Sequence, residues 1–207
     1  GLSSNYNEII EIAGVKVRNG NIIEEFSSFV KPKNAITEFI TNLTSITNDD
    51  VRVADPIEIV LPKFKAFFEG CILVAHNATF DNSHIYANLR KLNLYDGPLK
   101  SIDTLQLARA RYSHKLKTFN LKAVSKYFDV ELEQHHRAIY DTRATAYVFI
   151  KMLSDLFDVG IYDYDQINQT IDPQELYKLN FPNHFSILVK DLVGKKNLYK
   201  IISDSHT

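Results

Sequence analysis

Five consecutive apolar residues, Cys71-Ile72-Leu73-Val74-Ala75, constrain this chain more than any other feature. A run so short and uniformly apolar reads as a strand buried on both faces, which requires a covering layer on each side of its sheet. Upstream, the β-prone runs 9–17 and 22–30 flank Arg18-Asn19-Gly20-Asn21, and an Asn-Gly turn between such runs predicts a hairpin. Downstream, helix patterns at 81–92, 104–112, 119–128 and 138–156 alternate with a short strand at 99–102. A hairpin followed by strand-helix alternation predicts an α/β domain with a mixed sheet.

Apolar residues at Ile57, Val60, Leu61, Phe64, Phe67 and Phe68 predict an amphipathic helix, with Asp55 as its cap and Pro56 at its first position. Pro62 lies inside that pattern and predicts a kink or a later start. After Phe157 the period is lost, so 158–180 reads as a connector. Beyond it, Ile187-Leu188-Val189 is a candidate strand and 194–203 a candidate helix. Both are expected to belong to a separate unit.

Composition narrows the function classes. With 207 residues, 45% hydrophobic and 24% charged, the chain holds one substantial domain and at most part of another, and is not disordered. Its single cysteine, Cys71, can form neither an internal disulfide nor a cysteine metal site, which favours a reducing cytoplasm. No apolar stretch reaches the roughly 18 residues a membrane helix needs, so no membrane partner is expected. A net charge of −1 excludes a broadly basic nucleic-acid binder. It leaves room for an enzyme that holds one strand end through bound cations.

Three places put acids or imidazoles at strand exits or helix starts. The first is His76-Asn77-Ala78-Thr79-Phe80-Asp81, directly after the apolar strand. Alone, Asp81 reads as a helix cap; with His and Asn at the carboxyl edge of a sheet it reads towards a ligand site. The second is His135-His136-Arg137-Ala138-Ile139-Tyr140-Asp141. On one continuous helix His136 and Asp141 would lie about 140° apart, so His136 must precede the helix if the two act together. An exposed His pair followed by a dipole-favoured Asp explains these residues as well. The third is Asp103 in Ser101-Ile102-Asp103-Thr104, read as a structural residue supporting the site.

His76-Asn77-Ala78-Thr79-Phe80-Asp81, Ile102-Asp103-Thr104-Leu105 and His136-Arg137-Ala138-Ile139-Tyr140-Asp141, in this order, resemble the DEDDh exonucleases over about residues 1–156. That family includes the proofreading subunit or domain of bacterial replicative polymerases. The resemblance implies a ribonuclease H-like mixed sheet flanked by helices. It further implies Asp81 and Asp141 as ligands of two Mg²⁺ or Mn²⁺ ions and His136 as general base. Asn77 and Phe80 would position the terminal nucleotide of a single-stranded DNA 3′ end.

The family's first motif, Asp-x-Glu-Thr-Thr-Gly, is matched only at its end by Gly1-Leu2-Ser3, so its carboxylates are expected immediately before Gly1 and the chain alone is expected to have little or no activity. Ser45 stands where the family often has Gly, and Arg143 where an acid is common; Arg143 is expected to point away from Asp141.

Residues 131–141 look like the PolC-type DNA polymerase III alpha subunit version of the third motif. Residues 184–203 resemble the point where the PHP domain of those enzymes resumes. The organisation this implies is an exonuclease domain at 1–157, a connector at 158–180 and a PHP-like fragment at 181–207. The rest of a polymerase chain and a replisome would be the partners, in the cytoplasm. His184 is given no role. Competing readings are another DEDDh nuclease, RNA-trimming or helicase-associated, and a non-catalytic nucleic-acid- or protein-binding module of the same fold.

Overall fold

The computed structural model describes residues 8–95, 97–132, 137–171 and 187–191. Strands β1 (Glu11–Arg18) and β2 (Asn21–Phe29) form the expected antiparallel hairpin. Asn19 (φ 53°) and Gly20 (φ 71°) are both left-handed, as a two-residue loop with two positive φ angles demands. Two short helices follow, α1 (Glu38–Thr44) and α2 (Asn48–Arg52), under which Ile36, Ile46 and Val51 form a small satellite core. Ser45 takes the left-handed cap position after α1 (φ 60°), a conformation for which glycine is the unstrained choice.

Next come α3 (Ile57–Phe68), β3 (Cys71–Ala75), α4 (Ala78–Lys91), β4 (Ser101–Asp103), α5 (Thr104–Tyr112), α6 (Leu121–Tyr127), α7 (Ala138–Phe157) and α8 (Tyr164–Gln169). A last strand, β5 (Ile187–Asp191), completes a sheet of order β2-β1-β5-β3-β4, in which β3 and β4 run parallel.

The pleat of β1 and β3 divides the core as the apolar run requires. Ile12 and Leu73 face one layer with Val60, Leu61 and Phe64 of α3 and Ile85 and Leu89 of α4. Val15, Val17, Ile72 and Val74 face the other, with Leu107 of α5, Val124 of α6 and Phe149, Met152 and Leu156 of α7. Each such side chain, fully buried, contributes roughly 1.5–3 kcal/mol. Layers on both faces hold the ends of β3 and β4 rigidly in place.

The structure departs from expectation at four places. Pro56, not Asp55, is the N-cap residue of α3; Asp55 instead pairs with Lys63 at 3.1 Å. The helix runs on across Pro62, which removes one backbone donor without ending it. Helix α4 begins at Ala78, three residues before Asp81, so Asp81 is not its cap. Within the expected connector lies α8, closed by a capping box between Asp163 and Gln166, and it carries the buried Ile167 into the core beside Ile171.

The strand expected at 187–189 is β5, hydrogen-bonded into the sheet parallel to β1 and antiparallel to β3. The inner edges of β1 and β3 otherwise present unpaired backbone groups, and a further strand satisfies both rows. The expected helix at 194–203 and His184 lie outside the described residues.

Candidate active site

The register of β3 and β4 places Ala75 opposite Asp103, so the two strands end side by side and the chain leaves each into a helix. Asp103 joins those helix starts. Its Oδ1 accepts from the backbone N–H of Asn77 (3.0 Å), Leu105 (2.9 Å) and Gln106 (3.4 Å), and its Oδ2 from that of Ala78 (2.9 Å). One carboxylate thereby caps both α4 and α5. Burial still outweighs these four bonds and holds the Asp103 carboxyl above its ordinary range.

His76 locks the same corner. Its Nε2 lies 2.8 Å from the Phe119 carbonyl, which can only accept, so Nε2 carries the proton and Nδ1, 3.0 Å from the Thr104 hydroxyl, accepts. Burial pushes its pKa down to about 4, so it is neutral at pH 7. A histidine depressed in the folded state stabilises the fold above its unfolded value near 6.5 and loses that contribution as pH falls towards 4. The native chain is therefore expected to lose on the order of 2–3 kcal/mol through His76 between pH 7 and pH 4. Urea unfolding of His76→Asn should show a correspondingly flatter pH dependence. An unchanged slope would remove His76 from this account.

Asp81 sits in the first turn of α4 with no exposed surface, and neither carboxylate oxygen has a hydrogen-bond partner among the described residues. Burial first, then the charges of Asp103 and Asp141, push its pKa well above the carboxylate range. Asp141 lies in the first turn of α7 and is also buried. A buried carboxylate without partners among the described residues, beside two further acids, either takes up a proton or meets a cation. The donor set fits a hard divalent ion. Among the described residues, no group of three or more His, Cys, Asp or Glu side chains is placed to hold a metal ion.

The other expected site residues divide. Asn77 has left-handed backbone (φ 79°), and its buried Oδ1 has no partner among the described residues. Phe80 is buried, with its ring 4.3 Å from that of His84. His136 lies outside the described residues. Arg143 points away from Asp141 and grips Glu25 of β2 through Nε (2.8 Å) and Nη2 (2.6 Å).

Sequence reasoning missed Glu11. This buried acid accepts from Arg137 and from the first backbone N–H of α7. The signal was its place on the inward face of β1, in step with Ala13, Val15 and Val17.

A family model described as an exonuclease, RNase_T, matches residues 1–149. This chain belongs to that exonuclease family. It is 44% identical over 205 residues to a DNA polymerase III PolC-type of Staphylococcus aureus (strain bovine RF122 / ET3-1), and 43% identical to that of strain MW2. Those matches cover 99% of this chain and 14% of the relative. The exonuclease chain thus spans about a seventh of the length of these curated relatives.

Among solved structures it resembles Exonuclease X in complex with 5′ overhanging duplex DNA, with a TM-score of 0.61 and 26% identity over 78% of this chain and 89% of that one. The nuclease domain of 3′hExo, a DEDDh family member bound to rAMP, shares the fold (TM-score 0.54, 18% identity, 71% of this chain and 93% of that one). The α/β exonuclease fold expected from the sequence is the fold found.

Proposed function

We propose that this exonuclease is the proofreading 3′→5′ segment of a PolC-type replicative DNA polymerase, hydrolysing the terminal phosphodiester of a single-stranded DNA 3′ end. The observation that carries this reading is Asp81, a fully buried carboxylate with no partner among the described residues and two acids at its back. Identity of 44% across 99% of the chain to PolC-type polymerases supports the polymerase context. It also supports a reading in which the remaining polymerase chain and the replisome are the partners, in the cytoplasm.

Asp81 and Asp141 would hold Mg²⁺ or Mn²⁺, hard cations suited to carboxylates. When bound, two such ions supply the positive charge that acidifies an attacking water and stabilises the departing 3′ oxygen. His136, as general base, takes the proton of that water and must be neutral to do so. Asn77 Oδ1 is an available acceptor for a donor group of the terminal nucleotide. Asp103 fixes the start of α4 and with it the direction of Asp81.

The test is digestion of 5′-labelled single-stranded DNA by the full-length gene product. A ladder shortening from the 3′ end, abolished by EDTA and reduced at least about 10³-fold by Asp141→Asn, is expected. Internal cuts or EDTA-resistant activity would overturn the reading. Faster removal of ribonucleotides would move it to an RNA-trimming nuclease.

A further inference from the structure

Helix α7 carries Asp141, yet its N-cap residue Arg137 makes no side-chain capping bond. The missing cap comes from 127 residues earlier in the chain. Glu11 of β1 accepts the Ala138 backbone N–H at Oε2 (3.0 Å), and its Oε1 accepts Arg137 Nε (3.3 Å) and Nη2 (3.2 Å). The Glu11 side chain is only 6% exposed, so this ion pair is largely shielded from water.

The other side of the Arg137 guanidinium lies over the ring of Phe29, 5.1 Å from its centroid, and Phe29 is the register partner of Glu11 across the hairpin. The Arg137 carbonyl then accepts the Asp141 backbone N–H at 3.2 Å. An unbroken chain of contacts runs from the β1–β2 hairpin through Glu11 and Arg137 to the residue that bears the Asp141 carboxylate.

An acid at this place has a specific physical effect. A negative charge at a helix N-terminus meets the positive end of the helix dipole and satisfies a backbone donor that would otherwise be buried unpaired. Because the acceptor belongs to β1, in the interior of the sheet, the start of α7 is held in register with the sheet and not merely capped. Arg137 directly follows His136 in sequence, so the anchored residue adjoins the proposed general base on one side and leads to a proposed metal ligand on the other.

We propose that Glu11 is a positioning residue of the exonuclease reaction: its carboxylate clamps Arg137 and the first N–H of α7, and so sets the segment running from Arg137 to Asp141. This rests on the proofreading reading above. In this role Glu11 acts through the residues it holds.

The experiment compares Glu11→Ala and Glu11→Gln in the full-length gene product, each alone and combined with His136→Ala. Glu11→Ala is expected to lower kcat on 3′-single-stranded DNA by about 10–100-fold with KM within about twofold, the size seen for residues that orient a metal ligand. Glu11→Gln keeps a carbonyl oxygen for the Ala138 N–H and should recover most of that loss.

In the His136→Ala background the further effect of Glu11→Ala should shrink to about twofold or less, since residues acting as one unit are not additive. A structural role alone would give the same factor in both backgrounds, and that additivity would overturn the proposal. Amide exchange supplies a readout independent of turnover. In Glu11→Ala the Ala138 and Asp141 N–H groups should exchange at least about tenfold faster, while 149–156 keeps its protection. Unchanged exchange at Ala138 would equally overturn it. A parent that releases no 3′ nucleotide sinks the proofreading reading and the positioning role together; additive kinetics with an active parent sink the positioning role alone.

Discussion

Asp81→Asn is expected to do two opposite things: lower exonuclease kcat in the full-length gene product by about 10³-fold or more, and make the metal-free chain more stable by about 1–3 kcal/mol. The first follows from losing a ligand whose ion supplies several kcal/mol of transition-state charge stabilisation. The second follows from the cost of leaving a buried group without partners, which is largest for a charge. Sites built for function store instability of this kind.

The pH dependence fixes the sign. Burial and the neighbouring acids raise the pKa of Asp81 in the folded state, so folding favours its protonated form. Its favourable contribution is present below the unfolded value near 4 and is lost as pH rises towards the folded value. In EDTA the stability gap between Asp81→Asn and the parent should therefore widen as pH rises above about 4. Adding Mg²⁺ should reverse the order, because only the parent gains by binding the ion in its folded state. Thermal unfolding at several pH values, with and without Mg²⁺, measures all of this. A variant less stable than the parent in EDTA would overturn this account of Asp81.

What could be read from the sequence was what local chemistry decides. The Asn19-Gly20 turn demands left-handed backbone at both positions and takes it; the apolar run at 71–75 is a strand covered on both faces. Elements set by distant partners were not legible in the same way. Helix α4 starts early because Asp103, some 25 residues on, serves the N–H groups of Asn77 and Ala78, and nothing near Ala78 announces that cap.

Glu11 was passed over for the same reason, since its partners lie on α7 and the meaning of an inward-facing acid depends on what covers it. The place of β5 in the sheet also depends on edges left open elsewhere, which no local pattern encodes.

Asp103 is where the distant and local influences meet, and its substitution should be the most damaging to stability. An ionised carboxylate is acceptor-only, with about four lone-pair sites on two oxygens, and Asp103 has four backbone donors to meet. Asp103→Ala leaves donors at the starts of two helices without partners in a buried corner. At about 1–2 kcal/mol for each lost cap, with desolvated N–H groups added, the expected cost is about 3–5 kcal/mol.

Asp103→Asn separates charge from geometry. Its single carbonyl oxygen can replace Oδ1 and keep the bonds to Asn77, Leu105 and Gln106, but the amide NH₂ then faces the Ala78 N–H, donor against donor. That variant should cost only about 1–2 kcal/mol. It should still weaken the hold on the first turn of α4, which carries Asp81. Urea midpoints for the two variants check the order Ala well below Asn, and Asn below the parent. Equal losses would mean that the charge of Asp103, rather than its four bonds, holds β3 and β4 to their helices.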